Sequence, residues 1–370
     1  MMLALERSED RKKLEELLAQ SVPESMRVYG TVFYINRGNP LNMEVLVDSW
    51  PDFKTVISKP RSVEMVNDKN LCRHIYHVFT KDAENLREIL GTTDVINWNQ
   101  CLQIEGLQQC LDPVITSIAE SKGLELERDK ALLFVRDIHL GVSGKSPSMN
   151  SEEKSAAQIR NHLKVRDDQL AFHCSPLRDA EAELVNAVWM NGGNESSLKY
   201  ARQCIQNLPS LCIRDPGGKP ISWCVMDQTS EIRMVYTLPE YRSKGLFTNL
   251  LISFMAFLCL QWDDFPFHFI TSKDNVQIQS VARKVGLPNA PCGFFQWICQ
   301  PQRRHLRETR GHQRFGPKRL PQPVPWRVEV SSLPPAPWLT ALLALLSSHE
   351  NVSNFYLSQL ELDFLLSLML

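Results

Sequence analysis

No CxxC pair, no dinucleotide-binding GxGxxG, no Walker-type phosphate loop and no long apolar run occurs in this 370-residue sequence. Each absence closes a class of function. A membrane span needs roughly 18 consecutive apolar residues, so none is expected. The ten cysteines are scattered. Neither Cys72 with His74 and His77 nor the pair His173-Cys174 has the spacing of a zinc site, and no metal is expected. The cysteines read instead as small core hydrophobes in a reducing compartment or an organelle matrix. Charge of one sign is also lacking. The 41 Lys and Arg against 42 Asp and Glu leave a net charge of -1, which gives no reason to expect nucleic acid or a strongly acidic substrate. At the N-terminus Glu6, Glu9 and Asp10 interrupt any apolar run, so a secretory signal is not expected.

What is present is the balance of a soluble globular protein, 43% hydrophobic and 22% charged. The length allows two domains, because single cores stop growing at roughly 250–300 residues. Residues 11–20 have helical spacing. Residues 27–35 and 43–50 are rich in β-formers and flank the turn residues 36–40, which predicts a hairpin, with 54–58 extending the sheet. Helices are expected over 82–90 and 104–119, and a buried strand over 131–135. The polar stretch 143–154 reads as a linker. A second α/β pattern follows, with strands at 169–173, 210–214, 221–227, 231–237 and 266–271. Its helices are expected at 179–189 and 196–207, and after Asn275. Beyond Gln302 basic, proline-broken sequence and short leucine-rich pieces read as an appended tail.

Residues 237–251 carry the clearest chemical signal. A strand enters, Pro239 stops it, and an apolar helix runs on through Ile252, Met255 and Leu258. Between them lie Arg242, Ser243, Lys244 and Gly245. The first N–H groups of a helix have no internal acceptors, and the helix dipole places partial positive charge there, so a pyrophosphate fits. Gly245 lets backbone approach phosphate closely, and Arg242 and Lys244 add charge. The same residues also fit an ordinary solvated loop. Upstream, Glu231 follows a turn at 227–230. It is placed either to take a proton from an attacking ammonium or to sit solvated at a strand end. Downstream, Asn275 caps a helix beside the strand at 266–271, where it would meet the pantetheine arm of a coenzyme.

This order of strand, Arg-x-x-Gly turn, helix, strand and Asn-led helix resembles the GNAT acyltransferase superfamily. The resemblance narrows to the glycine N-acyltransferase family on several segments. These are Val28-Tyr29-Gly30, Ile35-Asn36-Arg37-Gly38-Asn39-Pro40, Asp48-Ser49-Trp50-Pro51-Asp52-Phe53 and Gly192-Gly193-Asn194-Glu195, then Met226-Asp227-Gln228-Thr229, Tyr236-Thr237-Leu238-Pro239-Glu240-Tyr241-Arg242 and the closing Gln296-Trp297. It covers the chain from Met1 to about Gln302. It implies an α/β (α+β) fold of tandem GNAT-like acyltransferase domains with mixed central sheets. An N-terminal GNAT-like domain would span 1–150 and a catalytic domain 151–302, with a poorly ordered tail over 303–370. The implied activity moves an acyl group from acyl-CoA, a co-substrate rather than a permanently bound cofactor, to glycine. Glutamine as acceptor and an inactive CoA-binding protein are the alternatives. Glu231 falls on the family's general base. The N–H groups of Met234, Val235 and Tyr236 would polarise the thioester carbonyl, and Arg242, Ser243, Lys244, Gly245, Leu246 and Phe247 would clamp CoA.

The resemblance also implies a detoxifying enzyme in mitochondria, with the endoplasmic reticulum or cytoplasm as alternatives, and a monomer. Two departures stand out. Phe247 occupies a position that is usually Gly or Ala, and Ala282 stands where many superfamily members carry a tyrosine proton donor.

Overall fold

The computed structural model describes residues 2–61, 74–136, 173–262 and 267–301. The expected linker, the strand residues 169–172 and the tail lie outside them.

The described strands are β1 (Leu3–Ala4), β2 (Met43–Val47), β3 (Thr55–Pro60), β4 (Ile75–Thr80), β5 (Leu102–Gly106) and β6 (Leu124–Val135), followed by β7 (His173–Ser175), β8 (Ser210–Arg214), β9 (Pro220–Met226), β10 (Ile232–Thr237), β11 (His268–Thr271) and β12 (Asn289–Pro301). They pair in the order β1-β2-β3-β4-β5-β12-β6-β11 in one sheet and β10-β9-β8-β7 in the other. Only β4 and β5 pair in parallel within these ladders, so the first sheet is mixed. Among the described residues one isolated parallel bridge, Glu231 to His268, joins the two sheets. β12 comes last in the described chain, yet it lies between β5 and β6 of the first half.

Helices α1 (Ser8–Ala19) and α2 (Met26–Ile35) cover one face of the first sheet, and α3 (Ala83–Thr92) and α4 (Leu111–Ser121) cover the other. Alternation along β3 explains the division: Val56 packs with Leu14, Leu18, Val28 and Val32, whereas its neighbour Ile57 packs with Leu86, Leu90 and Ile115. A third core lies on the second sheet. There α5 (Ala182–Val188), α6 (Glu195–Asn207), α7 (Leu246–Gln261) and α8 (Val276–Lys284) bury Val185, Ala201, Leu250, Phe254 and Ala282. Helix α2 serves two cores, because Phe33 and Tyr34 belong to this third one.

Two elements differ from the sequence-based expectation. Residues 27–35 form α2, not a hairpin strand. All ten residues of that helix are buried, its polar Arg27 and Thr31 included, so no exposed polar face marks a helical period, and a run of β-formers without one reads as strand. Residues 104–119 are not one helix. They divide into the end of β5 and the start of α4. Strand β5 is buried along its whole length between β4 and β12, which removes the alternation that marks a half-exposed strand.

Candidate active site

The turn before β10 is built on one carboxylate. Asp227 Oδ1 accepts hydrogen bonds from the Thr229 N–H at 2.7 Å, the Thr229 hydroxyl at 2.7 Å and the Glu231 N–H at 3.1 Å. This fixes where Glu231 leaves the turn. Strand alternation then puts Glu231 and Arg233 on one face and Ile232, which is buried in the third core, on the other.

Glu231 does not stand free. Arg27, from α2, donates from Nη1 to Glu231 Oε2 at 2.7 Å and from Nη2 to Glu105 of β5. Glu105 Oε1 also accepts from Gln103 Nε2 at 2.7 Å and Gln296 Nε2 at 3.1 Å. Its Oε2 lies 3.7 Å from His77 Nε2. Arg233 Nη1 lies 3.1 Å from Asp227 Oδ2 and 3.9 Å from Glu231 Oε2. His268 Nε2 is 3.4 Å from Arg27 Nη1. The exposure of these side chains is 0% for Asp227, 1% for Arg27, 8% for Glu231 and 15% for Arg233.

The charges of this cluster decide which group takes a proton. Burial and the neighbouring Arg27 push the His268 imidazole down to about 3 and His77 well below its usual range, so both are neutral. Two guanidiniums then face three carboxylates, and one added proton closes the balance. Burial also works against ionisation of Asp227, but Arg27, Arg233 and the Thr229 hydrogen bond hold it down to about 2. Burial wins at Glu231, whose carboxyl is raised despite the opposing pull of Arg233 and Arg27. Burial thus raises the proton affinity of Glu231 while Asp227 beside it stays ionised.

Beyond Glu231 the two sheets part. Among the described residues no ladder joins β10 to β11: the sheets are linked just before β10, by the Glu231–His268 bridge, while β11 pairs with β6 on its other side. On the β9 side the register slips between Arg233 and Tyr236, so Met234 and Val235 oppose the single residue Cys224. Met234 has φ +51°, a left-handed conformation rare for a side chain of that size. Such a bulge re-aims backbone groups out of a ladder. Met234, Val235 and Tyr236 are thus at the bulge, on the strand that borders the gap.

The turn before α7 follows. Arg242 donates from Nε to the Thr237 carbonyl at 2.9 Å and lies over the Tyr236 ring, and Lys244 lies over the Tyr241 ring. Arg242, Ser243, Lys244 and Gly245 are exposed. Gly245 caps α7 at φ +78° with no side-chain hydrogen bond, leaving the helix N-terminus without a protein cap. Leu246 is buried, and Phe247 packs against the third core. Asn275 caps α8 and accepts from the Ile278 N–H at 3.3 Å. Ala282 is 1% exposed inside the core and has no proton to give.

Sequence reasoning named Glu231 but missed Arg27, Glu105, Asp227, Arg233 and His268. Arg233 had a local signal, a second charged residue at strand spacing from Glu231. Arg27 and Glu105 had none, since Arg27 is 204 positions from Glu231 in the chain. Among the set-aside candidates, His74 Nδ1 lies 2.9 Å from the Cys101 carbonyl, and burial pushes the Cys174 thiol up to about 11.

Residues 2–209 match the model of a family described as aralkyl acyl-CoA:amino acid N-acyltransferase, and residues 211–301 match that of its C-terminal region. Glycine N-acyltransferase of Rattus norvegicus is 36% identical over 301 residues, which is 81% of this chain and 100% of that protein. Glycine N-phenylacetyltransferase of Bos taurus is 38% identical over 288 residues, 78% of this chain and 96% of that protein. A Drosophila protein solved by X-ray crystallography has the same fold, with a TM-score of 0.63 at 17% identity over 82% of this chain and 99% of that one.

Proposed function

The chain belongs to the aralkyl acyl-CoA:amino acid N-acyltransferase family, and from that premise we propose that it acylates the amino group of glycine with Glu231 as general base. The observation that carries this reading is the raised carboxyl of Glu231 at the point where the two sheets part. An amino acid is mostly an ammonium at neutral pH and must lose a proton before it attacks. Glu231 takes that proton. The amine nitrogen then bonds to the thioester carbon, and the developing oxyanion is met by N–H groups of the bulge at Met234, Val235 and Tyr236. Collapse breaks the carbon–sulfur bond and the thiolate leaves. A thiol with pKa of about 8.5 departs without an acid, consistent with Ala282 in the usual donor position. The open N-terminus of α7, with Arg242 and Lys244 beside it, takes the phosphates of the coenzyme.

The test is thiol release from benzoyl-, phenylacetyl- and oleoyl-CoA with glycine and with glutamine. Glycine is expected to be the better acceptor, and Glu231→Gln is expected to lower the rate about 10²- to 10⁴-fold near neutral pH, with partial recovery at higher pH. Preference for glutamine would reassign the acceptor. An unchanged rate in Glu231→Gln would remove that residue from the reaction.

A further inference from the structure

The base accounts for one end of the acceptor only. A free amino acid brings a carboxylate to the site with its ammonium, and a buried carboxylate without a cation is costly. The bonds N–Cα and Cα–C hold the two charged groups roughly 2.5 Å apart, so a cation for the carboxylate must lie close to Glu231. Among the described residues two guanidiniums do. Arg27 is 1% exposed and divides its Nη atoms between Glu231 and Glu105. Arg233 is different. It sits two positions along the same strand, on the same face, with Nη1 at 3.9 Å from Glu231 Oε2 and 15% of its side chain exposed.

Asp227 takes one corner of the Arg233 guanidinium, at Nη1. Nε and Nη2 donate to no described residue. The guanidinium carbon lies 5.7 Å from the centre of the Trp189 ring, which stacks on Tyr200 at 5.9 Å between centroids. Tyr200 in turn donates to Gln228 Oε1 at 2.5 Å, in the turn that leads to Glu231. The arginine is thus held on one edge by a carboxylate and on one face by an indole. Its remaining edge is the planar pair of donors that matches a carboxylate with two parallel hydrogen bonds.

We propose that Arg233 binds the carboxylate of the acceptor amino acid, so that the strand positions 231 and 233 together recognise an α-amino acid by both of its charged groups. The proposal rests on the reading of Glu231 as the base, and it adds the side chain that recognises the free carboxylate of the family's amino acid acceptor and so disfavours simple amines, amides and peptide N-termini of blocked carboxylate. Selectivity for the free carboxylate follows because an uncharged amide presents its own N–H groups to a guanidinium that has only donors to offer.

The test compares glycine and glutamine, each against its own α-amide, as acceptors with benzoyl-CoA. In the unaltered protein the free acid is expected to lead the amide by about ten- to a hundredfold in kcat/KM, the usual worth of a hydrogen bond to a charged group. Arg233→Gln should bring that ratio close to one, through a higher KM for the free acid, while the KM for benzoyl-CoA stays as it was. Arg233→Lys keeps a charge without the fork and should give an intermediate ratio. If the unaltered protein uses amide and acid equally, the proposal fails without recourse to any variant. It also fails if Arg233→Gln or Arg233→Lys keeps the full preference, or if the loss falls on kcat alone, as expected were Arg233 only a brace for Asp227. Glu231→Gln separates this from the parent reading. Retained activity there removes the base and leaves no ammonium site for Arg233 to complement, whereas loss of activity there with an unmoved acid-to-amide ratio in both Arg233 variants removes Arg233 alone.

Discussion

Arg27 sets one guanidinium between the carboxylates of Glu105 and Glu231, and neither is exposed enough for water to screen the pairing. The arrangement has a definite effect on the base. Arg27 and Arg233 both favour the ionised form of Glu231, against the burial that disfavours it. Weakening Arg27 leaves burial less opposed, so the Glu231 carboxyl rises further and is ionised only at higher pH. In Arg27→Lys the acid limb of the pH profile of kcat/KM is therefore expected to move upward, with activity recovering in alkali. Arg27→Gln should add a stability loss of about 3–5 kcal/mol, the usual consequence of leaving a buried charge without its partner. Steady-state profiles and thermal melts of the two variants check both points. An acid limb that stays in place would show that Arg27 is structural only.

At the scale of elements, the contact that brings Arg27 to Glu231 depends on a glycine. A β-carbon on Gly30 would overlap the carbonyl of Thr229, so α2 and the turn before β10 touch backbone to backbone. Two effects oppose each other in Gly30→Ala. The helix gains about 1 kcal/mol of intrinsic propensity, but forcing atoms into a filled contact costs about 1–3 kcal/mol, and more where backbone must move. The overlap is with backbone, so a net loss of stability is expected, with a fall in activity because the displaced turn carries Asp227 and Glu231. A melt at or above that of the unaltered protein would contradict this. The same helix shows what the sequence conceals. Glu231 and the turn around Gly245 are legible because their signals are local: a charged residue after a turn, and a helix start with its glycine. Helix α2 is misread because it is buried on every side, and the role of Arg27 follows from packing between segments far apart in the chain.

The whole molecule is tied together by β12. Two α/β patterns are legible along the chain, but such a pattern does not reveal that the last described strand inserts between β5 and β6. Phe294, Phe295 and Trp297 of that strand are almost entirely buried. At about 1.5–3 kcal/mol each they contribute about 5–9 kcal/mol, against a typical net stability of about 5–15 kcal/mol for a folded domain. A chain ending before Asn289 is therefore expected to lose its cooperative melt throughout, including the first half whose own sequence is intact. Circular dichroism of that truncation, beside a chain ending after Pro301, makes the comparison; an intact melt from the shorter chain would refute it. The topology also bears on how the protein comes into being. Among the described strands β6 pairs with β11 and β12, both of which leave the ribosome long after it. At ordinary rates of synthesis the wait is on the order of ten seconds, during which the twelve residues of β6 have α4 beside them but none of their described strand partners. A nascent chain caught in that interval is a template for pairing with its siblings, and its yield in a cell depends on whatever shields β6 until the closing strand arrives.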